Sequence, residues 1–116
     1  MALAETPAAV LDVFRVTSEA LANQDPDAFL EPFDRNMPNY AKLRTEVEEL
    51  LAVEGIGTTI DVITDAGDDQ MRDLELDWLL KIGSEKPRRH VVKVHVERHG
   101  KKWKITALEP VEFFRK

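Results

Sequence analysis

The spacing of apolar residues follows a helical period over the first half of the chain and a strand period over the second half. Three segments of the first half repeat apolar side chains every three or four residues, and each segment follows a proline, which favours a helix start. Thr6 and Asp25, which precede Pro7 and Pro26, are expected to cap the first two helices. Gly55 suits the end of the third segment. The predicted helices run from Thr6–Pro7 to about Asn23, from Asp25–Pro26 to about Pro32, and from Pro38 to about Val53.

From Gly57 onward apolar and polar residues alternate, which is typical of strands with one buried face. The longest segment has Leu74, Leu76 and Trp78 on one face and carboxylates on the other. Short polar connections between the segments predict antiparallel neighbours. The predicted strands are Thr58–Asp65, Met71–Ile82, Arg89–His99 and Lys102–Glu109, and Pro110 ends the last one.

The last hairpin has a register that the sequence itself specifies. A two-residue loop at Gly100-Lys101 would bring apolar residues opposite apolar ones and acid opposite base. A slip of one residue would destroy both matches. The pairs expected are Val96 with Ile105, Val94 with Ala107 and Glu97 with Lys104.

Three helices followed by four antiparallel strands define an α+β class, with the helices covering the apolar face of a curved sheet. The chain has 116 residues, 43% of them hydrophobic and 33% charged, which is an ordinary globular composition. This length is enough for one core, so residues 1–116 are predicted to form a single cone-shaped domain.

Two parts of the sequence resemble nuclear-transport-factor-2-like domains, which share the cystatin-like fold. The segment SEALANQDPDAFLEPF is similar to their opening helix, Asp-bearing break and short second helix. The segments LELDWLLKIG and HVVKVHVERHGKKWKITALEPVEFF are similar to their closing strands. The resemblance covers about Thr6 to Phe114 and implies the same fold. The superfamily contains ketosteroid isomerases, polyketide cyclases, dehydratases and non-enzymatic members, so the fold leaves function open.

The expected function is binding of a small apolar or aromatic molecule in the cone, with isomerase, cyclase or dehydratase chemistry as an extension and no cofactor. The first helix lacks the tyrosine that ketosteroid isomerases use as a hydrogen-bond donor. The alternative is a non-catalytic homodimeric interaction module. The ligand pocket is predicted to be lined by Phe14, Phe33, Tyr40, Trp78 and Trp103, although core packing explains these aromatic residues equally well.

Acid–base chemistry would require a carboxylate and a donor, and the candidates are Asp34, Tyr40 and Asp77. Asp34 also fits a loop or cap position. Asp77 lies on the polar side of its strand, where an ion pair with Lys93 or His95 is the simpler expectation.

The formal net charge of −6 conceals an uneven distribution. Residues 1–80 carry 5 Lys/Arg and 18 Asp/Glu, and residues 81–116 carry 11 Lys/Arg and 4 Asp/Glu. The basic strands are therefore expected to neutralise the acidic ones. If Val62 pairs with Leu74, Asp61 faces Glu75, and a cation from the third or fourth strand or from a partner subunit must lie near them.

Several kinds of site are not expected. The chain has no cysteine, which removes disulfides and thiolate metal ligands. His90, His95 and His99 do not converge on one strand face, so no metal site is predicted. A pI near 5.1 disfavours nucleic acid as a partner, and no apolar run is long enough to cross a membrane.

Two expectations concern location and assembly. The first residues lack a basic n-region, so the sequence as written is predicted to be cytoplasmic; a trimmed secretory leader with an added methionine would read the same. Adjacent Phe113 and Phe114 have opposite strand parity, so one of them is expected to stay exposed and contribute to a homodimer interface.

Overall fold

The computed structural model describes residues 6–52 and 55–115 and shows an α+β architecture. Three helices pack on one face of a four-stranded sheet, called here the inner face; the opposite face is the outer face. A short 3₁₀ turn follows the last strand. The elements are α1 (Ala8–Ala22), α2 (Pro26–Leu30), α3 (Tyr40–Leu50), β1 (Ile56–Gly67), β2 (Met71–Ile82), β3 (Arg88–His99), β4 (Lys102–Glu109) and the 3₁₀ turn Val111–Phe114.

The first two helices form where the sequence predicts them. The residues expected on the apolar face of α1, from Val10 to Leu21, are buried. Pro7 precedes α1 and no side chain caps it, so the expected capping role of Thr6 is wrong. In α2, the Asp25 carboxylate accepts a hydrogen bond from the Ala28 amide at 3.1 Å, which is the N-cap arrangement that the Asp-Pro pair predicts.

The third helix begins two residues later than expected. Asn39 precedes Tyr40 in the left-handed conformation, with φ of 64°, and this residue ends the loop that leads from Pro38 into α3. The helix buries Leu43, Val47 and Leu50 in the core. It ends at Leu50, and the expected end at Val53 lies outside the described residues.

The sheet is an antiparallel meander in the order β1-β2-β3-β4. The structure pairs Val62 with Leu76 rather than with Leu74, so the expected register of β1 is wrong by two residues. A β-bulge at Ile63 then shifts the pairing. As a result, Asp61 faces Asp77 and not Glu75. The expected pair of like charges is present, but its second carboxylate is Asp77.

The β3–β4 hairpin confirms the predicted register at its loop end. Val96 pairs with Ile105, and Glu97 pairs with Lys104. Thr106 is an extra residue that has no direct partner, so beyond it the pairing moves by one position. Val94 therefore pairs with Leu108 rather than with Ala107, and the bulge lets Leu108 turn its side chain into the core.

The chain after Pro110 leaves the strand and turns into the 3₁₀ segment Val111–Phe114. Because adjacent residues of a turn are not restricted to opposite sides, Phe113 and Phe114 are both buried. The expectation that one of them stays exposed for a dimer is wrong for this reason. The turn is tied to α3 by an ion pair between Lys42 and Glu112.

The free edge of β4 is covered by the chain itself. Residues 32–34 run parallel to β4 and form a bridge between Phe33 and Ile105. The Asp34 amide donates to the Ile105 carbonyl and the Ile105 amide donates to the Pro32 carbonyl, both at 2.8 Å. This short segment carries the chain from α2 to α3 and fixes the entrance to the groove described below.

Candidate functional site

Aromatic side chains pack together on the inner face of the sheet, around Trp78. Trp78 has no exposed surface, and its indole Nε1 donates to the Thr58 hydroxyl at 2.8 Å. The Phe114 ring meets the Trp78 ring edge-on at 5.0 Å, and it meets the Phe29 ring at 5.4 Å. The 3₁₀ turn thus supplies rings to the region where the sequence predicts an apolar ligand pocket.

The five residues expected to line that pocket do not line one cavity. Trp78 and Trp103 are buried parts of the core. Phe14 borders a small groove between α1 and β1. Phe33 and Tyr40 share a larger groove, on the side of the molecule where α2 and α3 approach the β3–β4 hairpin.

This larger depression, called here the polar groove, has a volume of about 840 Å³. Its walls are α2, residues 33–36, the first turns of α3 and the loop end of the β3–β4 hairpin. The size is within the range of small-molecule sites, although the lining is more polar than is usual for them. The lining residues are Asp27, Leu30, Glu31, Phe33, Asp34, Arg35, Asn36, Tyr40, Arg44, His99 and Lys104.

Local structure fixes the position of the two acid–base candidates in the groove. The Asp34 backbone is held by Ile105, and its carboxylate accepts the Asn36 amide at 2.8 Å in an Asx turn. Tyr40 is the first residue of α3 and is half-buried. A carboxylate and a phenol therefore line the same groove, while Asp34 also has the loop role that its position suggested.

The charged groups of the groove fall into two sets. The Lys104 ammonium donates to the Glu31 carbonyl at 2.8 Å and lies 3.9 Å from the Glu31 carboxylate. Arg44 makes a looser ion pair with Glu48 at 3.6 Å. Within the part of the chain that the structure describes, the side chains of Arg35, Tyr40 and His99 make no hydrogen bond or ion pair.

The sequence does not reveal the cationic members of this groove. Arg35, Arg44 and His99 come from a loop, a helix and a hairpin, and no spacing along the chain relates them. The one relevant feature of the sequence is the segment between Pro32 and Pro38. If this segment is taken to pair with β4, its side chains lie beside the β3–β4 hairpin. No periodicity predicts a parallel bridge of one residue.

Asp77 lies on the outer face, away from the polar groove. Arg89 of β3 donates to both of its carboxylate oxygens and thereby lowers the pKa of Asp77. A carboxylate held ionised in this way is a weak proton acceptor at neutral pH. The expected ion pair of Asp77 exists, but its partner is Arg89 and not Lys93 or His95.

A second polar cluster lies on the outer face beside β4. His95 Nδ1 lies 2.6 Å from an Asp73 oxygen, and His95 Nε2 lies 3.3 Å from a Glu97 oxygen. The two ring nitrogens point to different carboxylates, so this arrangement does not converge on one ion. The described residues contain no group of three His, Asp or Glu side chains placed to hold a metal. They also contain no helix with the length and apolar character needed to span a membrane.

Comparisons with known proteins place the fold. No protein-family model and no curated protein matches the chain. Among solved structures, Bd1075 of Bdellovibrio bacteriovorus superposes with a TM-score of 0.75 at 14% identity, over 86% of this chain but only 38% of that chain.

Two further solved structures have their fold stated. A domain of unknown function with a cystatin-like fold from Nostoc punctiforme gives a TM-score of 0.72 at 13% identity, over 90% of this chain and 76% of that one. An NTF-2-like protein of unknown function from Shewanella oneidensis gives 0.69 at 16% identity, over 85% and 93%. The chain therefore has the NTF2-like, cystatin-like fold that the sequence segments resemble, and its function has to be argued from its own residues.

Proposed function

We propose that this chain binds a small aromatic carboxylic acid in the polar groove. The observation that carries the proposal is the convergence of three side chains with unused donors: Arg35, Tyr40 and His99. They come from three different elements and border one concave surface. Donor groups that face a cavity and have no protein partner are the groups that fix the orientation of a small ligand.

The charge balance of the groove favours a ligand with a single negative charge. The lining has three cations, Arg35, Arg44 and Lys104, and also three carboxylates. Because these charges balance, the groove has no excess positive charge to neutralise a ligand with several negative charges. A planar carboxylate fits the guanidinium of Arg35 in a bidentate arrangement. The ring of Tyr40 provides an apolar surface for the body of the ligand.

The proposal keeps the small-molecule function expected from the resemblance but moves the site out of the cone. Phe113 and Phe114 occupy the part of the cone next to Trp78, whereas the polar groove is open. Any isomerase, cyclase or dehydratase chemistry in the groove would fall to Asp34 and Tyr40, because Asp77 is on the other side of the sheet.

Thermal unfolding with small molecules tests the binding. Benzoate is expected to raise the melting temperature, and benzamide, which has the same shape without the charge, is expected not to. Arg35→Ala should weaken benzoate binding about tenfold, since a charge-assisted bidentate contact is lost. Lys86→Ala, a loss of charge in the loop at the far end of β3, is the matched control and should bind as the unchanged protein does.

Equal shifts with benzoate and benzamide would contradict the proposed acid, and equal binding by Arg35→Ala would contradict the proposed groove. A panel of neutral steroids and polyketides tests the other possibility, that an apolar ligand binds in the cone. Stabilisation by a neutral steroid but not by benzoate would return the site to an apolar pocket.

The second candidate function is a non-catalytic homodimeric module. It is supported by the packing of Phe113 and Phe114 against Trp78 in the cone and by one edge of the sheet that has no partner within residues 6–52 and 55–115. That edge is formed by β1, whereas the polar groove lies at the β4 side of the sheet.

A further inference from the structure

The outer edge of β1 is the open edge of the sheet. In the strand order, β1 has β2 as its neighbour on one side and no neighbour among the described residues on the other. An open edge presents unpaired backbone amides and carbonyls along its whole length and is a template for pairing with another chain. The regular part of this edge runs from residue 56 to residue 62, because the bulge at Ile63 interrupts it.

We infer that β1 pairs antiparallel with β1 of a second copy of this chain, and that the two-fold axis passes through Thr59. Thr59 is the centre of the regular stretch 56–62, so this register is the one that pairs all of it. The sheets of the two copies would then join into one sheet of eight strands. An isologous contact of this kind is the commonest form of a closed dimer.

The register is self-complementary in charge. It places Asp61 of the partner subunit directly opposite Gly57, and Gly57 is itself paired with Lys81 of β2. Because Gly57 has no side chain, Lys81 and the partner's Asp61 would face each other across it, about 10 Å apart between Cα atoms at two strand spacings. The same contact repeats on the other side of the axis.

Among residues 6–52 and 55–115 of a single copy, neither charge has an ion-pair partner. Lys81 is exposed and makes no ion pair in the described part of the chain. Asp61 faces the like charge of Asp77, whose oxygens are already bonded to Arg89. Arg89 of β3 also attracts the Asp61 carboxylate, but only over a longer range and without an ion pair. The second copy would therefore add a second cation, Lys81, near the member of the like-charge pair that Arg89 does not bind directly.

Gly57 has no evident role within one copy. A Cβ at this position would meet only the Cβ of Lys81, at 3.9 Å, which is an ordinary contact. Its φ lies outside the left-handed region, so the backbone does not require glycine. A glycine inside a strand often marks a place where another backbone or side chain approaches closely, which is the role that the dimer gives it.

The same pairing covers the apolar surface beside the edge. A groove of about 270 Å³ between α1 and β1 is bordered by Leu11, Ile60 and Val62, and Leu11 is 45% exposed. On the inner face, the register brings Ile60 opposite Thr58 of the partner subunit and Val62 opposite the partner subunit's Ile56. A second copy therefore extends the apolar surface of both sheets at once.

Charge-reversal variants, with the dimer measured by analytical ultracentrifugation, test the proposed register. The chain is expected to sediment as a dimer, at twice its mass of 13.2 kDa. Asp61→Lys and Lys81→Asp should each raise the dimer dissociation constant about tenfold, because like charges would meet across Gly57. The double variant restores opposite charges in both contacts and should dimerise about as well as the unchanged chain. Circular dichroism checks that every variant is folded.

Cysteine cross-linking provides a second readout, since the chain has no cysteine of its own. In Thr59→Cys the two introduced residues would be directly opposite, about 4.5–5.5 Å apart between Cα atoms, which a disulfide spans. Thr64→Cys, on the same strand beyond the bulge, is the matched control and should not cross-link.

A monomer at every concentration would overturn the inference. So would a dimer whose dissociation constant is indifferent to both charge exchanges, or one that cross-links through Thr64→Cys rather than Thr59→Cys, because each result would place the interface elsewhere. These outcomes leave the benzoate result in the polar groove unaffected.

Discussion

The two edges of the sheet are treated in opposite ways. At the β4 edge, residues 32–34 form two backbone hydrogen bonds with Ile105, and Lys104 adds a third contact to the Glu31 carbonyl. At the β1 edge, nothing in the described part of the chain pairs with the backbone. The covered edge became a wall of the polar groove, and the open edge keeps its backbone groups available.

The difference shows how a small domain divides its functions. A chain segment that closes an edge also delivers side chains to the adjacent surface, as Phe33 and Asp34 do. An edge left open is usually shielded by charges and bulges, and here the bulge at Ile63 fulfils that role for the part of β1 beyond Val62. The unshielded part is the stretch that a second copy would fit.

Removing the side chain that anchors the covered edge should have the largest effect. Phe33 is buried and stacks on Phe29 at 5.2 Å between ring centroids. Phe33→Ala is expected to lower the free energy of unfolding by about 3–5 kcal/mol through lost burial and a cavity. Urea unfolding followed by tryptophan fluorescence measures it.

The matched change at the open edge is Ile63→Ala. Ile63 is 45% exposed, so the free energy of unfolding should change by less than about 0.5 kcal/mol. Equal losses in the two variants would mean that the edges do not differ in the way described.

The attachment of the open strand to the core should have an intermediate effect. The Thr58 hydroxyl accepts from the Trp78 indole and donates to the Leu79 carbonyl at 2.9 Å. Thr58→Val leaves the buried indole N–H without a partner, which should cost about 1–3 kcal/mol of unfolding free energy. Thr45→Val, at an exposed position of α3 where the hydroxyl donates to the Ala41 carbonyl of the same helix, is the control and should be near neutral. A neutral Thr58→Val would show that the indole finds another acceptor.

The smallest effect is expected at the turn that joins β1 to β2. The Asp68 carboxylate accepts the amides of Gln70 and Met71 at 2.8 and 3.0 Å, which lowers the pKa of Asp68 below its ordinary value of 3.8. The stabilisation is therefore complete above about pH 3.8 and is lost as the pH falls through the lower pKa of the folded state.

Asp68→Asn should accordingly be slightly less stable than the unchanged chain at neutral pH, and the difference should shrink in acid. Urea unfolding at a series of pH values measures this change. Asp69→Asn removes a neighbouring carboxylate that accepts no hydrogen bond in the described part of the chain. A difference between Asp68→Asn and Asp69→Asn that stays constant with pH would refute the role assigned to the Asp68 carboxylate.

Alternation and helical spacing predict most of the elements because burial acts on each segment locally. β2 and β4 have the bounds that the pattern predicts, and the apolar face of α1 is the buried one. The errors arise where one residue is added. Ile63 and Thr106 each insert a residue into a strand, and alternation continues to look plausible on either side of a bulge.

The site was harder to predict because it is made of contacts between distant segments. Asp34 and Tyr40 were found as chemically suitable residues, but what brings them to one groove is the bridge between Phe33 and Ile105. The fate of Phe113 and Phe114 depended on whether the chain after Pro110 continued as a strand or turned, and strand parity carries no information about a 3₁₀ turn.

The side chains that β3 places on the outer face have a consequence for the order in which the protein folds. Arg89 binds Asp77 and His95 contacts Asp73, so β3 supplies partners to carboxylates of the preceding strand. A ribosome that has synthesised residues 1–80 has produced a nascent chain with 18 acidic and only 5 basic residues. We expect the carboxylates of such an intermediate to repel one another and to delay sheet formation until β3 is available to pair with β2.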